Sequence, residues 1–286
     1  MGVILVLSCK FICQLTVDAN TSLHSEFLIC GSEMWACFIT IIGLLQLVAI
    51  LRCEALDISK LIKRCHYGDS KCIIQSMNQV IKSFPKGIPV LGTKPIDIVD
   101  KADFKIWNNV DIGPVWLKFR MFDQLNYGFE NTTITEVKGF DRDPTSTSLE
   151  IHGKIPSLVH KGKYVVNGKL LLMEANSKGE SVSDLQNFKF FLKLKVTIEY
   201  RNNKRYLKVY ELVPRLKLDR WIIRLDDFLP ENSDLTKAVN QVINKNWVEF
   251  WNELEPSILD IFQSVFTNLI EDVFQKVACD DLFLNK

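Results

Sequence analysis

The chain has 286 residues, 35 Lys and Arg against 34 Asp and Glu, and a formal net charge of +1. Residues 1–55 hold Lys10 and Arg52 against Asp18, Glu26, Glu33 and Glu54, which leaves the remainder at about +3. So mild an excess, with no arginine-rich tract or basic helix face, argues against a nucleic-acid partner. The length allows one or two domains with a substantial core.

Two apolar runs precede residue 56. The second, Trp35 to Leu51, carries no charge and is followed by Arg52-Cys53-Glu54-Ala55. Cys53 and Ala55 are small residues at the −3 and −1 positions of a signal-peptidase site, so residues 34–55 read as a signal peptide cleaved after Ala55. Met34 can then be the initiator, and residues 1–33 read as an upstream extension. That extension has its own apolar run, Gly2 to Val17, broken by Lys10 and ending in Val17-Asp18-Ala19. The competing reading is an uncleaved anchor at 35–51, which is short for a span of ~20 residues.

Cleavage leaves three of the eight cysteines, Cys65, Cys72 and Cys279. Cys65 and Cys72 are close in sequence and lie in an oxidising compartment, which predicts a small-loop disulfide. A metal site is disfavoured, because the spacing is not Cys-x-x-Cys and His66 alone does not complete a tetrahedron. Cys279 can be free and buried, or paired with another chain. Asn131-Thr132-Thr133 is a glycosylation acceptor in a secreted chain.

From Leu56 to Phe84 the chain reads as a short helix, the turn between the two cysteines, and a second helix carrying Ile73, Ile74, Met77, Val80 and Ile81. Pro85, Pro89 and Pro95, with Gly87 and Gly92, break it into an extended connector. Strands follow. Val115, Leu117, Phe119 and Met121 alternate with Trp116, Lys118, Arg120 and Phe122; Leu149, Ile151 and Ile155 alternate with Glu150, His152 and Lys154. The longest run places Phe188, Phe190, Leu192, Leu194, Val196, Ile198 and Tyr200 on one face, opposite Lys189, Lys193, Lys195 and Glu199. Arg201-Asn202-Asn203-Lys204 turns it into Tyr206 to Val213, a hairpin signal. Strands wet on one face and apolar on the other are antiparallel in character.

The last long stretch, Leu235 to Val277, has apolar residues spaced by threes and fours, which is helix periodicity. Asn232, Ser233 and Asp234 supply N-cap chemistry, and Pro256 predicts a kink midway. At ~1.5 Å per residue the element is ~60 Å long and needs an apolar cover. The expectation is an α+β fold in one domain, 56–286, with a strongly curved antiparallel sheet wrapped around the C-terminal helix.

Several of these segments, in this order, resemble the takeout and juvenile hormone binding protein family of insects. The Cys65…Cys72 pair opens the match. Gly87-Ile88-Pro89-Val90-Leu91-Gly92-Thr93-Lys94-Pro95-Ile96-Asp97 resembles the family's Gly-Ile-Pro-x-Leu-Gly…Pro-Leu-Asp connector. Lys161-Gly162-Lys163-Tyr164-Val165-Val166-Asn167-Gly168-Lys169-Leu170-Leu171-Leu172 is similar to its Gly-x-Tyr-x-x-x-Gly-x-x-Leu strand, and Asn240…Asn244-Lys245-Asn246-Trp247 to the opening of its long helix. Asp281-Leu282-Phe283 lies where such chains usually end. Departures are Met173 to Gly179 in place of a Pro-x-x-Gly-x-Gly turn, Leu225 to Pro230 in place of Asn-Leu-Phe-x-Gly, and no partner for Cys279 in a second disulfide. The resemblance implies the lipid-binding tubular fold, with a lipophilic ligand in an apolar tunnel between helix and sheet.

Residues expected to contact such a ligand are Trp116, Phe119, Met121, Tyr164, Phe190, Leu192, Trp247, Phe250, Trp251, Phe262 and Phe266, with Trp247 and Trp251 side by side one turn apart. Core packing is the competing role for each. Catalysis is not expected. The mature chain holds only His66, His152 and His160, and no Gly-x-Ser-x-Gly elbow, His-Glu-x-x-His helix or phosphate loop occurs. Asp226-Asp227 and Asp280-Asp281 read as solvated ends. The expected protein is therefore a secreted, extracellular, monomeric carrier of a small hydrophobic ligand (terpenoid, fatty acid or similar lipid). It has no cofactor, metal or nucleic acid, and membrane or receptor contact is its macromolecular interaction. The alternative is a membrane- or microbe-surface lipid binder using Lys189, Lys193 and Lys195.

Overall fold

In the computed structural model, residue 58 and residues 61–101, 103–107, 115–170 and 173–284 are described. The leader expected over residues 1–55, and most of the short helix expected from Leu56, lie outside them. What remains of that helix is one turn, with the Leu61 and Ile62 amides donating to the Ile58 carbonyl.

Strand β1 (Cys65–His66) pairs in parallel with the terminal β10 (Phe283–Leu284), so the first and last described segments meet. Cys65 and Cys72 are disulfide-bonded with Cα atoms 5.7 Å apart. Helix α1 (Ser70–Ser83) is N-capped by Asp69, whose carboxylate accepts from the Cys72 amide at 3.0 Å, and it buries Ile73. In the connector after it, a Cβ on Gly87 would lie 2.2 Å from the Thr93 carbonyl oxygen, so only glycine fits that close approach.

Strands β2 (Ile98–Lys101), β3 (Phe104–Trp107), β4 (Val115–Tyr127), β5 (Thr133–Lys138), β6 (Leu149–Leu170), β7 (Met173–Arg201), β8 (Lys204–Lys217) and β9 (Arg220–Leu225) make one antiparallel sheet. Its spine runs β2-β4-β6-β7-β8, with β3 beside β4, β5 beside β6 and β9 beside β7. Helices α2 (Ser233–Lys245), α3 (Trp247–Phe274) and the short α4 (Cys279–Leu282) follow. The expected hairpin is present, with Asn202 and Asn203 both left-handed (φ 51° and 61°), as a two-residue turn requires. Phe188, Phe190, Leu192, Leu194 and Val196 are buried as expected. Tyr200, at the hairpin end, is exposed.

The C-terminal stretch is two helices rather than one. The break falls at Asn246 (φ −111°, ψ 35°), while Pro256 lies inside α3. The Asn246 side-chain amide donates to the Val242 carbonyl at 2.8 Å alongside its own backbone N–H at 3.0 Å. This local bond competes with continued helix. Pro256 deprives only the carbonyl of Asn252, an exposed residue that water can serve.

Helix α2 also finishes the sheet. Asn240 exchanges hydrogen bonds with both backbone groups of Leu225 (2.8 and 2.9 Å), and Asn244 does the same with Ile223 (2.8 and 2.6 Å). Residues four apart on a helix lie about as far apart as alternate residues on a strand. The two amides therefore imitate a neighbouring strand and close the free edge of β9.

Asn244→Ala would leave the Ile223 N–H and C=O without partners. It should cost ~2 kcal/mol in chemical denaturation, whereas Lys245→Ala, at the next, exposed position, should cost well under ~1 kcal/mol. Equal losses would contradict the edge-closing role.

Candidate functional site

A crease crosses the sheet. Pro156 of β6 faces Asn187 of β7, between the pairs Ile155↔Phe188 and Ser157↔Gln186. Pro156 has no N–H to donate, and Asn187 is left-handed (φ 49°). At the same level Gly128 (φ 113°) ends β4, and a Cβ there would meet the Ser157 carbonyl oxygen at 2.3 Å. The outer neighbours change at this line too: β4 gives way to β5 beside β6, and β9 to β8 beside β7. The inward face shifts phase across it. Leu149, Ile151 and Ile155 are buried on one side of the crease, and Leu158, Tyr164 and Val166 on the other.

At the crease a phenylalanine cluster joins sheet to helix. Phe188 stacks on Phe262 (ring centroids 4.9 Å apart), and Phe190 meets Phe266 (4.8 Å). Phe129 stands edge-on to Phe266 at 6.2 Å. Phe190 lies so close over Gly153 that a Cβ would fall 2.3 Å from its Cζ.

On either side of these rings lies an apolar cavity that is partly open to the surface. A cavity of about 200 Å³ lies between β3, β4, β7, β9 and the N-terminal half of α3. A second, of about 300 Å³, lies between α1, the 87–96 connector, β5 and the C-terminal half of α3. Phe129 lines both. The connector is tied to the helix beside the second cavity: the Lys94 amide donates to Asp272 at 2.7 Å, and Lys276 bonds both Asp272 (2.6 Å) and the Gly92 carbonyl.

The residues expected at a ligand site divide between these cavities and other positions. Phe119, Met121, Phe250, Trp251 and Phe262 line the first. Phe190, Leu192 and Phe266 line the second. Trp116, Tyr164 and Trp247 line neither. Trp116 alternates with the inward Leu117 and carries the Lys118 ammonium 5.7 Å from its ring. Tyr164 is fully buried beneath Phe119, and its hydroxyl donates to the Asp226 carbonyl at 2.7 Å; burial pushes its pKa up to about 12. Trp247 has the Arg220 guanidinium 6.0 Å from its ring, while Trp251, one turn on, stands edge-on to Trp221 at 5.6 Å.

Sequence periodicity missed a polar row on the floor of the first cavity. A bulge at Asp123 (φ 51°) shifts the phase of β4, so that Gln124 and Asn126 face inward where strict alternation would put Asp123, Leu125 and Tyr127. Asn126 pairs across the strands with His160, and His160 with Ser183. Nδ1 of His160 is hydrogen-bonded to Oδ1 of Asn126, whose Nδ2 donates to the Val99 carbonyl at 2.7 Å. Ser183 accepts from the Trp221 indole at 2.7 Å. Burial lowers the His160 pKa from 6.5 to about 4, against the opposing pull of Asp184, so the ring is neutral at physiological pH.

Elsewhere Asn131 is exposed, its amide donating to Glu130 at 3.0 Å. Cys279 is free and buried, 4.0 Å from the Tyr67 hydroxyl. Asp226 and Asp280 are paired with Arg224 and Arg205. Among the described residues no group of three or more His, Cys, Asp or Glu could hold a metal ion, and no helix is long and apolar enough to cross a membrane.

The family described as "Haemolymph juvenile hormone binding protein (JHBP)" matches residues 42–284. The chain belongs to this family. It is similar to the circadian clock-controlled protein daywake of Drosophila melanogaster, 23% identical over 253 residues covering 86% of this chain and 96% of that one. The Drosophila yakuba daywake is 22% identical over 227 residues, covering 78% and 86%. The crystal structure of Epiphyas postvittana Takeout 1 shares the fold, with a TM-score of 0.66 at 19% identity, covering 78% of this chain and 99% of that one. In this member of the haemolymph juvenile hormone binding protein family, Asn240 and Asn244 at the opening of the C-terminal helices are the residues that close the β9 edge.

Because the folded chain holds His160 neutral while the unfolded ring takes a proton below pH 6.5, His160 contributes stability in full above that pH. The contribution is lost as pH falls toward about 4. Between pH 7 and 4 the wild-type protein should lose up to ~3 kcal/mol more than His160→Phe in urea titrations. Parallel pH profiles for the two would contradict the burial argument.

Proposed function

We propose that this chain is a secreted, non-catalytic carrier that holds a small hydrophobic ligand between α3 and the sheet. The observation that carries the reading is the pair of cavities flanking the phenylalanine cluster. Helix and sheet have ample aromatic side chains, yet leave about 200 and 300 Å³ unfilled. Native interiors are close-packed, and an empty apolar space of ~150 Å³ is enough to take a benzene-sized molecule. Burial of ligand surface at ~25 cal/mol per Å² supplies the affinity.

Membership of a family named for binding a haemolymph hormone supports this reading, and the Cys65–Cys72 disulfide suits an extracellular site. In this scheme Phe119, Met121, Phe250, Trp251 and Phe262 contact ligand in the first cavity, and Phe190, Leu192 and Phe266 in the second. Trp116, Tyr164 and Trp247 have structural roles. The protein acts as a monomer, with Asn131 glycosylated. A ligand of low solubility is sequestered and released where its free concentration falls or a receptor or membrane accepts it. The lysine row gives the surface-binding alternative little support, because Lys189 and Lys195 are paired with Asp219 and Glu211.

Filling the cavities tests the reading without removing core side chains. Leu254→Trp in the first and Met77→Trp in the second, both at half-buried lining positions, should each reduce uptake of a fluorescent lipid, and together abolish it, with the circular dichroism spectrum retained. Wild-type uptake by the folded double variant would place the ligand elsewhere.

A further inference from the structure

The polar row in the first cavity says what kind of ligand that cavity is built to accept. This step rests on the carrier reading and goes further, to the chemistry of the ligand head. His160 faces inward from β6, its ring edge-on to Phe262 at 5.9 Å. Its tautomer is fixed by its neighbours. The Val99 carbonyl can only accept, so the Asn126 side chain must present Nδ2 to it and turn Oδ1 toward His160. Oδ1 can only accept in turn, so Nδ1 of His160 carries the proton. Nε2 is then a lone-pair acceptor. It has no hydrogen-bond partner among the described residues and is not sealed off by packing.

An acceptor left unmatched when a ligand displaces its water weakens binding of any ligand that cannot donate to it. We infer that the first cavity selects a lipophilic molecule ending in a neutral hydroxyl, an alcohol whose O–H donates to Nε2 of His160. A carboxylate is disfavoured twice over. The ring is neutral at physiological pH, and the charged residue among the described lining is Glu253, an anion at an exposed position. At Nε2, ethers and esters, which only accept, would set lone pair against lone pair, whereas an alcohol can both donate to Nε2 and accept from the neighbouring Ser183 hydroxyl, whose proton the Trp221 bond leaves free. The oxygen-bearing side chains lining the second cavity, Ser76, Thr93, Thr132 and Asp272, are each already hydrogen-bonded to the protein, so the preference belongs to the first.

The test is calorimetric titration of the full secreted protein at pH 7.5 with decanol, its isomer nonyl methyl ether, and decanoate. Decanol should bind about tenfold tighter than either, the effect of about one hydrogen bond. His160→Phe should bring decanol and the ether level while both still bind. Side-chain ¹⁵N spectra of His160 should show the Nδ1–H tautomer in the unliganded wild-type protein, a readout that needs no variant. Equal or tighter binding of the ether or decanoate by the wild type, or an Nε2–H tautomer, overturns the inference and leaves the carrier reading standing. Failure of all three to bind overturns both.

Discussion

The architecture depends on covering α3. A helix of 28 residues that buries Trp251, Ile258, Phe262, Val265, Phe266 and Phe274 is ~42 Å long, and the sheet must curve to cover more than one side of it. The twist of adjacent strands supplies part of the wrap. The crease supplies the rest: Gly128, Pro156 and Asn187 fall on one line across three strands, where the ladder loses a donor, adopts a left-handed residue and changes outer partners. Each half of the sheet then addresses one half of the helix. Where the halves meet, Phe188 and Phe190 reach Phe262 and Phe266 directly, and space remains on both sides of that line. In this account the two cavities follow from how a bent sheet covers a long helix.

The same devices decide the chemistry of the interior. A one-residue bulge in a strand exchanges its inward and outward faces downstream. At Asp123 this turns Gln124 and Asn126 inward, and the phase change of β6 across the crease at Pro156 brings His160 inward to meet Asn126. A polar seam is thereby laid across an apolar floor without any polar residue interrupting a hydrophobic alternation that could be read along one strand. The bonds from Asn126 to Val99 and from Trp221 to Ser183 satisfy most of that seam internally. They leave Nε2 of His160 and the hydroxyl proton of Ser183 without a protein partner among the described residues.

Much of this was legible in the sequence, and the limits have physical causes. The strand carrying Phe188 to Val196, the Asn202-Asn203 turn, the Cys65–Cys72 bond and the long apolar helix all follow from period, turn chemistry or spacing, and the order of motifs led to the family. Periodicity is silent about phase shifts. Alternation through Met121 points to Leu125 and Tyr127, not to Asn126, and His160 had no reading beyond its scarcity. Pro156 inside a strand was the available signal of the crease. In the helix, Pro256 predicts a kink in one continuous element, and it does lie inside α3; the break falls instead at Asn246, a residue able to bond the preceding turn's carbonyl, where α2 ends. Trp116 and Trp247 line neither cavity; aromatic residues suit a cavity and a core alike, and only the register of β4 and the rotation of α3 separate those positions.

The central claim is that the space beside the phenylalanine cluster exists to hold a ligand. Native mass spectrometry of protein secreted from eukaryotic cells, with organic extraction of whatever accompanies it, addresses this most directly. The account predicts a defined adduct of a few hundred daltons that is released by organic solvent. Bare protein that takes up none of a panel of offered lipids would contradict it, and would mean that the cavities are packing defects of a fold serving another purpose.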